Sequence, residues 1–117
     1  MVSYKLVDRK EDILVYEYYP ENHLNSKPGI ITVDFTKSSI HIDKMAEEDF
    51  EFDITIEERN AMIEEINDMK RERGETDFLE LATKPIHVIQ YGHHAVSDIT
   101  KQINQDVIPE DGNVMWY

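Results

Sequence analysis

The chain is 117 residues long and carries 25 acidic against 12 basic residues, a formal net charge of −13. A surface that negative repels phosphate and anionic lipid. It therefore argues against nucleic-acid and membrane-surface binding and favours basic proteins or cations as partners. No cysteine is present, which excludes a disulfide framework, a thiol nucleophile and a thiolate zinc site.

This length fits one α+β domain spanning 1–117, large enough to bury about two-thirds of the surface its unfolded chain exposes. Met1 to Lys10 lacks the apolar core of a signal peptide, and no run approaches the ~20 apolar residues of a membrane span. A cytoplasmic protein is expected.

Tyr4 to Val7 alternates as a first strand, and Ile13 to Tyr19 is dense in β-formers on both faces, as in a strand inside a sheet. Pro20 ends it, and a polar loop runs from Glu21 to Lys27. After Pro28-Gly29, Ile31, Val33 and Phe35 alternate with polar residues, and Ile40 and Ile42 follow in a fourth short strand. Phe50, Phe52 and Ile54 predict another strand.

Thr55 to Gly74 has both ends of a helix written into it. Thr55 and Glu58 form a capping box, Met62, Ile63, Ile66 and Met69 make an apolar stripe, and Gly74 supplies the stop. This helix, about 55–73, is expected to cover one face of an antiparallel meander of four to six strands. Its methionines then read as core filling. Thr76-Asp77 would cap a short helical turn through Leu81. Ile86 to Tyr91 is extended, Gly92 breaks it, and a second helix runs over about 93–105. Pro109 and Asp111-Gly112 form a loop. The tail, Val114-Met115-Trp116-Tyr117, has too much apolar area to stay in water at no cost and is expected to dock as a strand or plug. Tyr4, Tyr16, Tyr18 and Tyr19 read as sheet packing ahead of an aromatic interface.

Several stretches carry a resemblance: Leu14-Val15-Tyr16-Glu17-Tyr18-Tyr19-Pro20, Lys27-Pro28-Gly29-Ile30, Met45-Ala46-Glu47-Glu48-Asp49-Phe50, Gly92-His93-His94-Ala95 and the Trp116-Tyr117 ending. Together they resemble a group of short uncharacterised bacterial proteins. The resemblance covers most of the chain and implies no activity.

Two constellations carry chemistry. His87, His93, His94 and Asp98 offer imidazoles and a carboxylate, with His94 and Asp98 four apart on one helix face. If they converge, a zinc-type metal and a metal-dependent enzyme follow. No H-E-x-x-H, EF-hand, Gly-x-Ser-x-Gly or glycine-rich phosphate loop is present. The second constellation is the acidic zone, in which Asp43, Glu47, Glu48, Asp49, Glu51 and Asp53 precede Glu57 and Glu58 and are opposed by Lys44 alone. The leading expectation is a small acidic interaction module of inhibitor, immunity or adaptor type. It would have no catalysis and no cofactor, and those six acids would meet a basic protein. Mimicry of a nucleic acid toward a DNA-binding protein, and self-association through a strand edge, are the other binding readings.

Overall fold

The computed structural model describes residues 1–116. The chain is α+β and divides into two compact units. The first is Met1–Phe50 with the chain from Ile89 onward, and the second is Glu51–Val88.

The first unit is built on a five-stranded sheet. Its strands are β1 (Val2–Lys10), β2 (Ile13–Pro20), β3 (Gly29–Asp34), β4 (Ser39–Lys44) and, at the C-terminal end, β7 (Asp111–Val114), in the order β4-β3-β2-β1-β7 with every neighbour antiparallel. The meander expected from β1 to β4 is present. Alternation sends Val2, Tyr4, Leu14, Tyr16, Tyr18, Ile31 and Val33 to one buried face. A register shift between Leu6 and Asp8 leaves Val7 at the surface.

Helix α2 (Gln90–Ile103) packs on that face through Ala95 and Ile99, with Tyr91, Val96 and Ile103 around them. Full burial of an Ile side chain such as Ile99 is worth about 1.5–3 kcal/mol, so this layer stabilises the unit. The long helix from Thr55, expected to cover the sheet, belongs to the second unit, and within the first unit the cover is α2. Gly92 is also not a break. It lies in the first turn of α2, where an added Cβ would come within 2.6 Å of the Ile42 Cδ1 atom, so its lack of a side chain lets α2 approach β4.

The C-terminal strand exists but begins earlier than expected, at Asp111-Gly112, and pairs Val2 with Val114 and Tyr4 with Gly112. Trp116 follows it, with its ring stacked on His94 at 3.9 Å and within 4° of parallel. Tyr117, the last residue of the expected docking tail, lies outside the described residues.

The second unit holds β5 (Glu51–Ile54), α1 (Ile56–Glu72) and β6 (Ile86–Ile89, whose last residue begins the first unit's return). β5 pairs with β6 in a separate two-stranded sheet, not with the meander. The α1 cap realises half of the expected capping box, because the Glu58 carboxylate meets the Thr55 hydroxyl and not its backbone N–H. The Thr55 hydroxyl accepts from the Glu58 N–H at 3.1 Å and donates to the Glu58 carboxylate at 3.3 Å. Residues 75–82 contain no helical turn, so the capped turn expected after Thr76 is absent. Met62 and Met69 are 50% and 53% exposed, and Ile66 between them is 37% exposed. They are surface side chains where core filling had been expected.

Candidate interaction surfaces

The six acids expected to face a partner have different surroundings. Asp49 is turned inward. Its carboxylate accepts from the Tyr18 hydroxyl at 2.7 Å and from the backbone N–H groups of Tyr91 at 2.9 Å and Gly92 at 3.0 Å. Those N–H groups belong to the first turn of α2, which has no side-chain cap of its own. A carboxylate from a distant loop thus caps the helix and sits at the positive end of its dipole. The Tyr18 hydroxyl also accepts from Ala46 N–H at 3.0 Å, and burial, then the bond to Asp49, push its pKa well above the ordinary tyrosine value. Asp49 is therefore a structural acid and leaves the set of partner-facing residues.

The other five are exposed. On the first unit, Asp43 accepts from Thr32 and pairs with His41 at 2.8 Å, Glu48 pairs with His23 at 2.5 Å, and Glu47 accepts from the Lys27 N–H at 3.3 Å. On the second unit, the imidazole of His87 bridges two acids, with Nδ1 2.7 Å from Asp53 and Nε2 2.8 Å from Glu51. The side-chain counter-charges beside these acids are imidazoles.

The bridge makes a pH prediction. The bond to Asp53, then that to Glu51, raise the His87 pKa above its ordinary 6.5. The folded value exceeds the unfolded one. The favourable contribution is therefore fully present below about pH 6.5 and is lost as pH rises through the folded pKa. In a proton NMR titration His87 should show its inflection above 6.5, and Glu51→Gln with Asp53→Asn should bring it back. An inflection at or below 6.5 in the parent chain would refute the bridge.

The histidine–aspartate constellation does not assemble. His87 is held by Glu51 and Asp53. His93 Nδ1 accepts from the Ile89 N–H at 3.0 Å. His94 lies against Trp116, and burial lowers its pKa. Asp98 accepts from the Tyr4 hydroxyl at 2.5 Å and from Gln102 Nε2 at 2.9 Å. Among the described residues no group of three or more His, Asp or Glu side chains could hold a metal ion. His94 and Asp98 both lie on α2, four residues apart, with the first stacked on Trp116 and the second bonded to Tyr4 and Gln102.

The tyrosines pack in the sheet, and those buried have polar partners. Tyr16 donates to the Pro109 carbonyl at 2.7 Å, and burial pushes its pKa up to about 12. Tyr4 donates to Asp98. A cleft of about 270 Å³ opens between the β3–β4 turn and the C-terminal end of α2, beside Phe35, Ile40, Thr100 and Ile103. Its one carboxylate, Asp34, accepts from the Lys37 N–H of its own turn at 3.2 Å. No acid–base pair converges there among the described residues.

Sequence reasoning missed a pair of asparagines on α1. Asn67 takes the Leu79 N–H at 2.8 Å and gives to the Leu79 carbonyl at 3.1 Å. Asn60 does the same with Ala82, at 2.6 and 3.5 Å. Seven helical residues span about 10.5 Å, and three extended residues about 10 Å, so the two ladders match. Segment 79–82 runs antiparallel along the helix and is gripped by its backbone. A seven-residue Asn repeat on one helix face, ahead of a segment lacking regular structure, was the available signal. Asn67 is the one buried residue of the second unit. Removing its amide strands polar groups at about 1–3 kcal/mol. Asn67→Ala should accelerate hydrogen exchange at the Leu79 amide by at least about tenfold, and an unchanged rate would remove the grip from the account.

No family model, curated protein or solved structure matches this chain.

Proposed function

We propose that the chain is a small acidic interaction module that acts without catalysis and engages a basic protein. The observation that supports this reading is the disposition of the acids between Asp43 and Glu58. All but Asp49 are exposed, and the side chains paired with Asp43, Glu48, Glu51 and Asp53 are imidazoles, not lysine or arginine. A field of that kind raises the rate of encounter with a basic patch and falls away with salt. No helix is long and apolar enough to cross a membrane among the described residues.

The test uses Asp43→Lys, Glu47→Lys and Glu48→Lys together, leaving Asp49 intact so that the fold is not disturbed. The parent chain should capture a basic protein that is released at high salt. The triple variant should slow association with that protein by at least about tenfold. Association unchanged in the triple variant would end the steering reading. Release of the captured protein by added DNA would identify the target as a DNA-binding protein.

A further inference from the structure

Helix α1 has two faces with different duties. One carries Asn60 and Asn67 and grips residues 79–82. On the opposite side Met62, Ile66 and Met69 stand at spacings of four and three, half in water. Glu58, Glu65 and Glu72 recur every seven residues along one flank of that stripe, all exposed. Glu65 and Glu72 make no ion pair among the described residues, and Glu58 belongs to the cap. The other flank carries Arg59, Lys70 and Arg73. Lys70 pairs with Asp77 and Arg73 with Glu75, while Arg59 keeps its charge and donates to the Lys84 carbonyl.

We propose that this face of α1 takes a basic amphipathic helix of a partner protein, with apolar side chains on the Met62–Ile66–Met69 ridge and lysines or arginines along the glutamate flank. The proposal rests on the reading of a basic partner and adds to it a second, apolar surface. A ridge of i, i+4, i+7 side chains is the shape that a helix groove accepts. Methionine fits partners of varied shape because its side chain is unbranched and polarizable. The charge pattern selects the occupant. A second copy laid antiparallel would set Glu65 against Glu65 and Glu58 against Glu72. A parallel copy would set Arg59 and Arg73 against themselves at the seam. The antiparallel pairing is repulsive along its whole flank, and the parallel one sets like-charged arginines together at the seam although it brings Glu65 to Lys70 of the other copy, whereas a basic helix meets three glutamates.

The test is fluorescence anisotropy of the full chain with a labelled synthetic amphipathic peptide that carries leucines on one stripe and lysines beside it, compared with its lysine-to-glutamate counterpart. The lysine peptide should bind and the glutamate peptide should not. Ile66→Asp, and separately Glu65→Lys with Glu72→Lys, should each weaken binding by at least about tenfold. Met69→Glu repeats the stripe test at a second exposed position, and far-UV circular dichroism confirms that each variant folds. The triple variant at Asp43, Glu47 and Glu48 should bind the peptide within about twofold of the parent. Binding that survives both Ile66→Asp and Met69→Glu, or no binding of the lysine peptide, overturns the α1 site. Loss in the triple variant with retention in Ile66→Asp also overturns it while leaving the basic-partner reading intact. A dimer seen by light scattering and dissolved by Ile66→Asp would give the face to a second copy and overturn the proposal.

Discussion

Replacing Asp49 by Ala is expected to lower the stability of the first unit by about 3 kcal/mol, the sum of a lost helix cap at about 1–2 and a stranded buried hydroxyl at about 1–3. Three donors converge on this carboxylate: the Tyr18 hydroxyl and the N–H groups of Tyr91 and Gly92. Alanine leaves the two N–H groups at the start of α2 without an acceptor and leaves the Tyr18 hydroxyl with only the Ala46 N–H. Asp49→Asn keeps one oxygen and loses the charge, so about 1 kcal/mol is expected. Tyr18→Phe should cost less in the Asp49→Ala background than alone, because the bond it removes is already gone. Urea unfolding followed by the emission of Trp116 measures all four chains. Glu47→Ala and Glu48→Ala provide the contrast, since exposed substitutions of this kind stay within about 0.5 kcal/mol. Parent-like stability of Asp49→Ala would show that α2 is not capped from this loop. The acid would then return to the surface set.

That contrast marks where the sequence stops being legible. Strands β1 to β4 and the ends of α1 could be read because their signals are local: alternation at Ile31 and Val33, a capping box at Thr55 and Glu58, and a glycine stop with φ of +78° at Gly74. Convergence is not local. Asp49 looks like its neighbours Glu47 and Glu48 in a run of acids. Only the fold brings it to α2, more than forty residues away. A histidine of one constellation also turned out to bond two acids of the other. His87 belongs with Glu51 and Asp53, not with His93, because the β5–β6 pairing sets it between them.

The helix that covers the sheet within the first unit was hard to read for a related reason. Periodicity reports a stripe without naming what lies on it. α1 advertises Met62, Ile66 and Met69, while α2 carries Val96, Ile99 and Ile103 together with the small Gly92 and Ala95, and the stripe alone does not rank the two. Small residues let a helix backbone approach a sheet whose tyrosines already fill the interlayer space. Side-chain volume missing from α2 is present as aromatic rings on β1 and β2.

Those rings make Gly29 the second position of large effect. In an ordinary strand Gly→Ala removes unfolded-state entropy and is favourable by about 0.5–1 kcal/mol. Here Gly29 pairs across the ladder with Tyr18, and the ring of Tyr18 lies over it. An added Cβ would stand 2.0 Å from Cε1 and 2.3 Å from Cζ of that ring. The ring cannot step aside cheaply, because its hydroxyl is fixed between Asp49 and the Ala46 N–H and its edge is packed in the core. Gly29→Ala is therefore expected to destabilise by about 2–3 kcal/mol, the upper part of the range for overpacking. Gly112 beside Tyr4 repeats the arrangement at 2.5 Å and should respond in the same direction. Tyr18→Ala in the Gly29→Ala background supplies the decisive comparison: with the ring gone the methyl has room, and Gly29→Ala should then cost nothing or stabilise slightly. A Gly29→Ala chain with an unchanged urea midpoint would mean that the Tyr18 ring lies elsewhere, and the link from Tyr18 through Asp49 to the start of α2 would fall with it.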